Sequence, residues 1–196
     1  MTAVEALGPL ARARGDAVVV TTMSAVRPWA ELSDHPLDFA SADSAMGHAA
    51  DLALGIALAR PRRRVFCVNG DGSILMTLGT LVTIAAAGAS NLLLVVLQNG
   101  VYEVTGNQPV PGAGQVDYPA MARAAGFPTA RSFADAASYA EALPAVLAAP
   151  GPTCISLSVA HGGEQPLSRG AGERAAYLRP SLAESARALR RALAGR

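Results

Sequence analysis

Asp71 and Asn99 are the two side chains in this sequence best suited to hold a divalent cation together. Asp71 stands inside Gly70-Asp71-Gly72-Ser73, and Asn99 follows 28 positions later in Gln98-Asn99-Gly100. A carboxylate is a hard anionic oxygen ligand, and a carboxamide is a neutral one. With a backbone carbonyl beyond Asn99 and the oxygens of a bound phosphate, they suit Mg²⁺, which takes few protein ligands and shares its shell with phosphates. The glycines flanking Asp71 let a ligand approach the main chain. The amides of Gly72 and Ser73 open toward it from a helix start. The chemistry implied is the holding of a metal–diphosphate.

The elements around these residues explain how they could meet. Val65–Asn69 is a short apolar run and reads as a strand. From Gly70 the pattern predicts a helix to about Ala87, stopped by Gly88. Leu92–Leu97 reads as a second, more apolar strand. A strand–helix–strand unit makes the two strands parallel and the crossover right-handed. Asp71 and Asn99 then lie at the carboxyl ends of two strands of one sheet, where open α/β sheets bind ligands. A Gly-Asp-Gly taken alone is no more than a turn; its register with Asn99 gives it meaning.

Three diphosphate sites are compared with this unit. A Rossmann loop needs a third glycine where Leu75 stands, and an acid about 20 residues on, where Ser90-Asn91 stand. A Walker A loop needs lysine, and every basic residue here is arginine. The same absence excludes lysine Schiff-base chemistry. The third reading is thiamine diphosphate. Gly70-Asp71-Gly72-Ser73, followed by an apolar strand ending in a polar pair with Asn, resembles the cofactor motif of the thiamine-diphosphate decarboxylases and carboligases. The usual Asn-Asn pair is Gln98-Asn99 here. The resemblance implies that Asp71, Asn99 and the backbone carbonyl of Val101 bind Mg²⁺, with Gly70, Gly72 and Ser73 at the diphosphate. Ser44-Ala45-Met46-Gly47-His48-Ala49 is similar to the segment under the aminopyrimidine. There Met46 would wedge the cofactor into its bent shape, and the Ser44 carbonyl would meet the 4′-amine. The Met-Gly-His-Ala run and Asn99–Glu103 are most similar to sulfopyruvate and phosphonopyruvate decarboxylases. The likeness covers roughly Val18 to Val159.

The family's chemistry needs a glutamate from a pyrimidine-binding domain, and this chain has one α/β domain, used for the diphosphate end. The expectation is one subunit of a split 2-keto acid decarboxylase, a hetero-oligomer with a separate pyrimidine-binding subunit. A carboligase subunit of acetolactate synthase type is an alternative, as is a non-catalytic scaffold retaining the fold. His48 and Glu103 are the acid/base candidates. Their plainer readings are a helix-start hydrogen-bonder and a helix cap.

At 196 residues the chain holds one good core, with 51% hydrophobic residues. A net charge of +1 gives no bulk attraction to nucleic acid or anionic membrane. Cys67 and Cys154 fall in apolar strands without CxxC spacing, as core thiols of a reducing compartment do. No signal pattern and no apolar run of membrane-spanning length is read, so the cytoplasm is expected.

The remaining pattern predicts a helix over Thr2–Arg14 interrupted by Pro9, a strand over Ala17–Thr21, and a hydroxyl-bearing loop at Thr22-Met23-Ser24. Relatives usually have Gly where Met23 stands. Trp29 is read as packing or pocket lining, and Arg27 as a possible partner for a substrate sulfonate or phosphonate. A short strand at Leu37–Ala40 and a small-residue helix at Gly47–Arg60 follow. Arg62-Arg63-Arg64 enter a strand from its amino end, a solvated turn on the wrong edge for the cofactor. The loop from Gly100 to Gln108 should close over the metal and diphosphate. Helices over Asp117–Ala125 and Asp135–Ala149, the latter with Pro144 inside, alternate with strands at Ala130–Phe133 and Thr153–Val159. The last strand alternates enough to read as an edge or half-covered strand. The sum is a three-layer α/β/α sandwich with a mainly parallel sheet of about six strands. Residues 1–160 would form the diphosphate- and Mg²⁺-binding domain. Residues 161–196 would form an arm and a helix opened by the Ser181–Glu184 capping box.

Overall fold

In the computed structural model, which describes residues 1–41 and 46–194, the apolar runs become one parallel sheet. Its strands are β1 (Val18–Thr21), β2 (Asp38–Ala40), β3 (Val65–Gly70), β4 (Leu92–Gln98), β7 (Thr129–Phe133) and β8 (Thr153–Ser158). They lie in the order β2-β1-β3-β4-β8-β7, every neighbouring pair parallel. A parallel sheet is covered on both faces, so its central strands can be apolar throughout. A separate antiparallel hairpin joins β5 (Val101–Tyr102) and β6 (Gln108–Pro109) just past the end of β4.

Helices cover both faces. On one lie α1 (Ala3–Ala13), α2 (Val26–Leu32) and α7 (Ala136–Ala148). Leu7, Leu10, Trp29, Tyr139 and Leu143 pack there on Phe66, Val68, Val95 and Ile155. The opposite layer contains α3 (Ala49–Ala59), α4 (Asp71–Met76), α5 (Thr80–Ala87), α6 (Tyr118–Ala125) and α8 (Leu182–Ala194). Its core includes Ala50, Ala53, Ile84, Ala122 and Leu189 on Val18, Cys67 and Leu94. Alanines at 50, 53 and 57 are what let α3 lie close to the sheet. Trp29 is therefore a core residue.

The structure refines four expectations. The helix after Gly70 is two helices. Thr77 ends the first, its amide bonding the Ile74 carbonyl at 3.2 Å and its hydroxyl turning away to the Gly47 carbonyl at 2.8 Å. Gly88, with φ +61°, ends the second in the left-handed region, as expected. Helices α1 and α7 run on through Pro9 and Pro144. Strand β8 is interior, between β4 and β7, and β7 forms the edge on that side. The polar residue that made β8 look like an edge, Ser156, is fully buried and bonds Gln98.

The segment after Val159 is packed rather than loose. The Tyr177 hydroxyl bonds the Thr21 hydroxyl and the Val26 carbonyl, both at 2.7 Å. Ala175 and Leu178 pack on Val26 and Ala40. Leu189 buries the stripe of α8 beside Leu182, Ala192 and Leu193.

Candidate cofactor site

Parallel pairing sets Gly70 opposite Leu97, so Asp71 and Asn99 leave adjacent strands at the same edge of the sheet. Asp71 joins the two loops. Its Oδ1 accepts the Gly72 amide at 2.9 Å, and its Oδ2 accepts the Gly100 amide at 2.8 Å. Burial raises the Asp71 pKa above its ordinary value, and the amides of Gly100 and Gly72 only partly offset that. A buried carboxylate held by amides, with lone pairs to spare, gains from a cation beside it.

Asn99 completes the pair. Its Oδ1 accepts the Val101 amide at 3.1 Å, while its Nδ2 donates to Glu103 Oε2 at 2.9 Å. The oxygen and nitrogen of this amide are thus told apart by their partners. The Val101 carbonyl sits opposite Pro109, which has no N–H to donate. The nearby amides of Val110 and Asn107 go instead to the carbonyls of Gly100 and Tyr102, at 2.9 and 3.0 Å.

These residues line one narrow cleft with Met46, Gly70, Gly72, Ser73 and Tyr102, as well as Met23 and Ser24 from the loop after β1. Its free volume is about 20 Å³. Two glycines permit this closeness. A Cβ on Gly72 would run into the Tyr102 ring and lie 2.9 Å from Val110. A Cβ on Gly47, already at φ +91°, would lie 2.7 Å from Thr77. Ser73 is a junction: its Oγ accepts the Gly47 amide at 2.9 Å, tying the turn of Met46 to α4.

The other expected residues are distributed as follows. Ser44 lies outside the described residues. His48 is exposed, and its Nδ1 sits 2.6 Å from Asp51 Oδ2, away from the cleft lining. Asp51 Oδ1 in turn accepts the Thr80 hydroxyl at 2.7 Å, joining α3 to α5. Glu103 lines the cleft, but its carboxylate is taken by Asn99 and by the amides of Gly162 and Glu164. Arg27 does not face the cleft. Its guanidinium is spent on Glu164, Glu173 and the carbonyls of Gln165 and Pro166, all between 2.7 and 3.1 Å. The hydrogen bonds it donates to Glu173, ahead of the burial that opposes them, raise its pKa further.

Tyr102, which covers Gly72, was not foreseen from the sequence. Met23 has φ +49°, a left-handed backbone that favours glycine. The departure from glycine at Met23 was the sequence signal for that position, and the covering by Tyr102 had none.

The donor chemistry fits a cation bridged to a diphosphate: one carboxylate, one carboxamide oxygen and one carbonyl around a glycine cradle. Among the described residues no cluster of three or more His, Cys, Asp or Glu converges on a metal position. A cation here would rely on ligand phosphates.

Comparison with known proteins gives the family. Residues 21–157 match the family described as thiamine pyrophosphate enzyme, C-terminal TPP binding domain. The phosphonopyruvate decarboxylase of Streptomyces viridochromogenes is 40% identical over 156 residues, covering 80% of this chain and 38% of that protein. The sulfopyruvate decarboxylase subunit beta of Methanothermobacter thermautotrophicus is 44% identical over 112 residues, 57% of this chain and 58% of its own. A thiamine diphosphate-dependent 4-hydroxybenzoylformate decarboxylase from Rhodococcus jostii shares the fold, with a TM-score of 0.69 at 21% identity over 84% of this chain and 33% of that one. The chain thus matches well under half the length of the phosphonopyruvate decarboxylase. With the motif, the fold and the matched span in agreement, the chain belongs to the family of C-terminal, cofactor-binding domains of thiamine pyrophosphate enzymes.

Proposed function

We propose that this chain is the diphosphate- and Mg²⁺-binding subunit of a split thiamine-diphosphate-dependent 2-keto acid decarboxylase of the sulfopyruvate or phosphonopyruvate type. The observation that carries the reading is the bridge Asp71–Gly100, which sets a carboxylate and the Asn99 amide side by side at the carboxyl ends of adjacent strands. In this reading Asp71, Asn99 Oδ1 and the Val101 carbonyl hold Mg²⁺. Gly70, Gly72 and Ser73 hold the diphosphate, and Met46 with Ser44 shapes the pyrimidine end. When bound, thiamine diphosphate supplies the electron sink for loss of carbon dioxide. The protein's part is to orient it, exclude water and set the local field. Neither His48, turned to Asp51, nor the fully engaged Glu103 is well placed here to move a proton, so the acid/base group is assigned to the partner.

A separate pyrimidine-binding subunit is part of the proposal. It is supported by the likeness to a relative named as sulfopyruvate decarboxylase subunit beta and by the apolar surface of the α3–α5 layer. Leu52 and Leu58 on α3, Met76 at the end of α4, Leu78 between α4 and α5, and Val82 on α5 are large apolar side chains left exposed, from 37% to 59%. Exposed apolar surface of this kind marks protein contacts. Two buried free cysteines, their thiols pushed up by burial, with Cys154 at about 12, accord with a reducing cytoplasm.

The test is co-expression with the pyrimidine-type subunit and assay of carbon dioxide release from 3-sulfopyruvate and 3-phosphonopyruvate. Release that requires both chains, Mg²⁺ and cofactor is expected. Carbon–carbon bond formation from pyruvate as the main reaction would replace this reading with a carboligase. Val82→Asp should reduce co-purification of the two chains; full retention would move the contact elsewhere.

A further inference from the structure

Glu103 is a buried carboxylate, 6% exposed, whose three hydrogen-bond donors come from two distant parts of the chain. Oε2 accepts from Asn99 Nδ2 at 2.9 Å. Oε1 accepts from the Gly162 amide and, at 3.2 Å, the Glu164 amide. Among the described residues no cationic side chain forms an ion pair with it. Burying a carboxylate is costly unless hydrogen bonds replace its water. Here the replacement depends on both the Asn99 amide and the arm being in place.

The arm is held again a few residues on. Glu164, whose amide binds Glu103, directs its own carboxylate to Arg27 at 3.0 Å. Arg27 also pairs with Glu173 at 2.9 Å, and the side chains of both are nearly buried. A continuous chain of contacts therefore runs from Asn99 through Glu103, residues 162–164 and Arg27 to Glu173.

We propose that Glu103 is a positioning residue that fixes the Asn99 amide with its oxygen available to the cation, and that it makes cation binding and docking of the arm, residues 162–173, favour one another. The inference rests on the proposed role of Asn99. A cation on Asn99 Oδ1 draws electron density from the amide and strengthens its Nδ2–H bond to Glu103. A docked arm holds the Glu103 carboxylate where that bond forms. Two sites that bias one shared group are coupled equally in both directions. Only a carboxylate serves here, because all three partners are donors, and a carboxamide would turn its NH₂ toward one side or the other.

The test uses the full chain in its assembled complex, with Mg²⁺ and thiamine diphosphate titrated calorimetrically and amide hydrogen exchange followed over residues 160–175. In the wild type, cofactor should slow exchange at 162–164 several-fold. Glu103→Gln should weaken Mg²⁺-dependent binding by about 10- to 100-fold, the range found when a metal ligand loses its supporting hydrogen bond. It should also remove that slowing. Glu173→Gln loosens the arm from its far end without touching the cleft. It should weaken binding several-fold and, without any ligand, shift the Asn99 side-chain NH₂ resonances. Binding within twofold of wild type in Glu103→Gln, or Asn99 resonances and affinity indifferent to Glu173→Gln, would overturn the coupling. Absence of cofactor binding by the wild-type complex would instead overturn the proposed function. The ligand-free resonance shift still decides whether Glu103 links Asn99 to the arm.

Discussion

At the amino edge of the sheet four arginines, Arg60, Arg62, Arg63 and Arg64, crowd one turn, whereas at the carboxyl edge two carboxylates and one amide share a narrow cleft. The arginine turn is mostly exposed. Arg63 reaches Asp16 at 2.7 Å, and the Asn91 side chain closes the turn by bonding the carbonyls of Ala57, Arg60 and Arg63. Its polar groups meet water or satisfy a turn. At the carboxyl edge Asp71 and Glu103 are buried, and Met23, Gly47, Gly100 and Gly106 take left-handed backbones. The difference teaches that charge density is a poor guide to a site. Polar groups held out of water, and a non-glycine residue such as Met23 held in a left-handed backbone, are a better one.

The largest break in this comparison should come from Asp71→Ala. It removes the anionic ligand and frees the Gly72 and Gly100 amides, so Mg²⁺-dependent cofactor binding should disappear from the assembled complex while circular dichroism stays unchanged. Retained binding would remove Asp71 as a ligand. The same carboxyl sets a pH dependence. Its folded pKa is raised, so protons compete with Mg²⁺ at higher pH than for an ordinary carboxylate. Affinity should be full above that raised value and fall as pH drops through it. Without ligand the sign reverses: the Asp71 contribution to stability is full below the ordinary carboxylate value and is lost as pH rises through the raised one. Urea unfolding of wild type and Asp71→Asn across that range checks this.

Gly72→Ala should come next. The new methyl would drive into Tyr102 and Val110, costing about 1–3 kcal/mol and lowering cofactor affinity. Tyr102→Ala added to it should recover most of the stability. No recovery would mean that the strain lies elsewhere. Met23→Gly acts in the other direction. It releases a left-handed methionine, and the gain, set against glycine's entropy, should be roughly 0.5–1 kcal/mol in urea unfolding. The smallest effect belongs to the crowded turn. Arg62→Ala with Arg64→Ala should change stability by less than about 0.5 kcal/mol and leave cofactor binding alone. A large loss of binding there would erase the contrast between the edges.

Much of the carboxyl edge was legible because local pattern and chemistry coincide in it. The apolar runs gave β3 and β4, Gly88 gave a helix end, and the Asp71–Asn99 spacing gave the pair that the parallel register sets side by side. What escaped was set by contacts between distant residues. Nothing local says that the Thr77 hydroxyl will leave its helix for Gly47, or that Ser156 will be buried against Gln98 in an interior strand. The arm left no periodic trace because Arg27 and Glu103 hold it largely by its main chain, and main-chain bonds select no residue type. Arg27 was read as a candidate for substrate for the same reason: its partners Glu164 and Glu173 lie more than a hundred positions away.

The most direct test of the central claim is calorimetric titration of thiamine diphosphate, with Mg²⁺ and with the divalent cation removed, into this chain alone and into its co-expressed complex. Tight, Mg²⁺-dependent binding in the complex, much weaker binding to the chain alone, and loss of both in Asp71→Ala is the result expected. Binding indifferent to Mg²⁺, or none in either preparation, would contradict a metal–diphosphate site at the carboxyl edge.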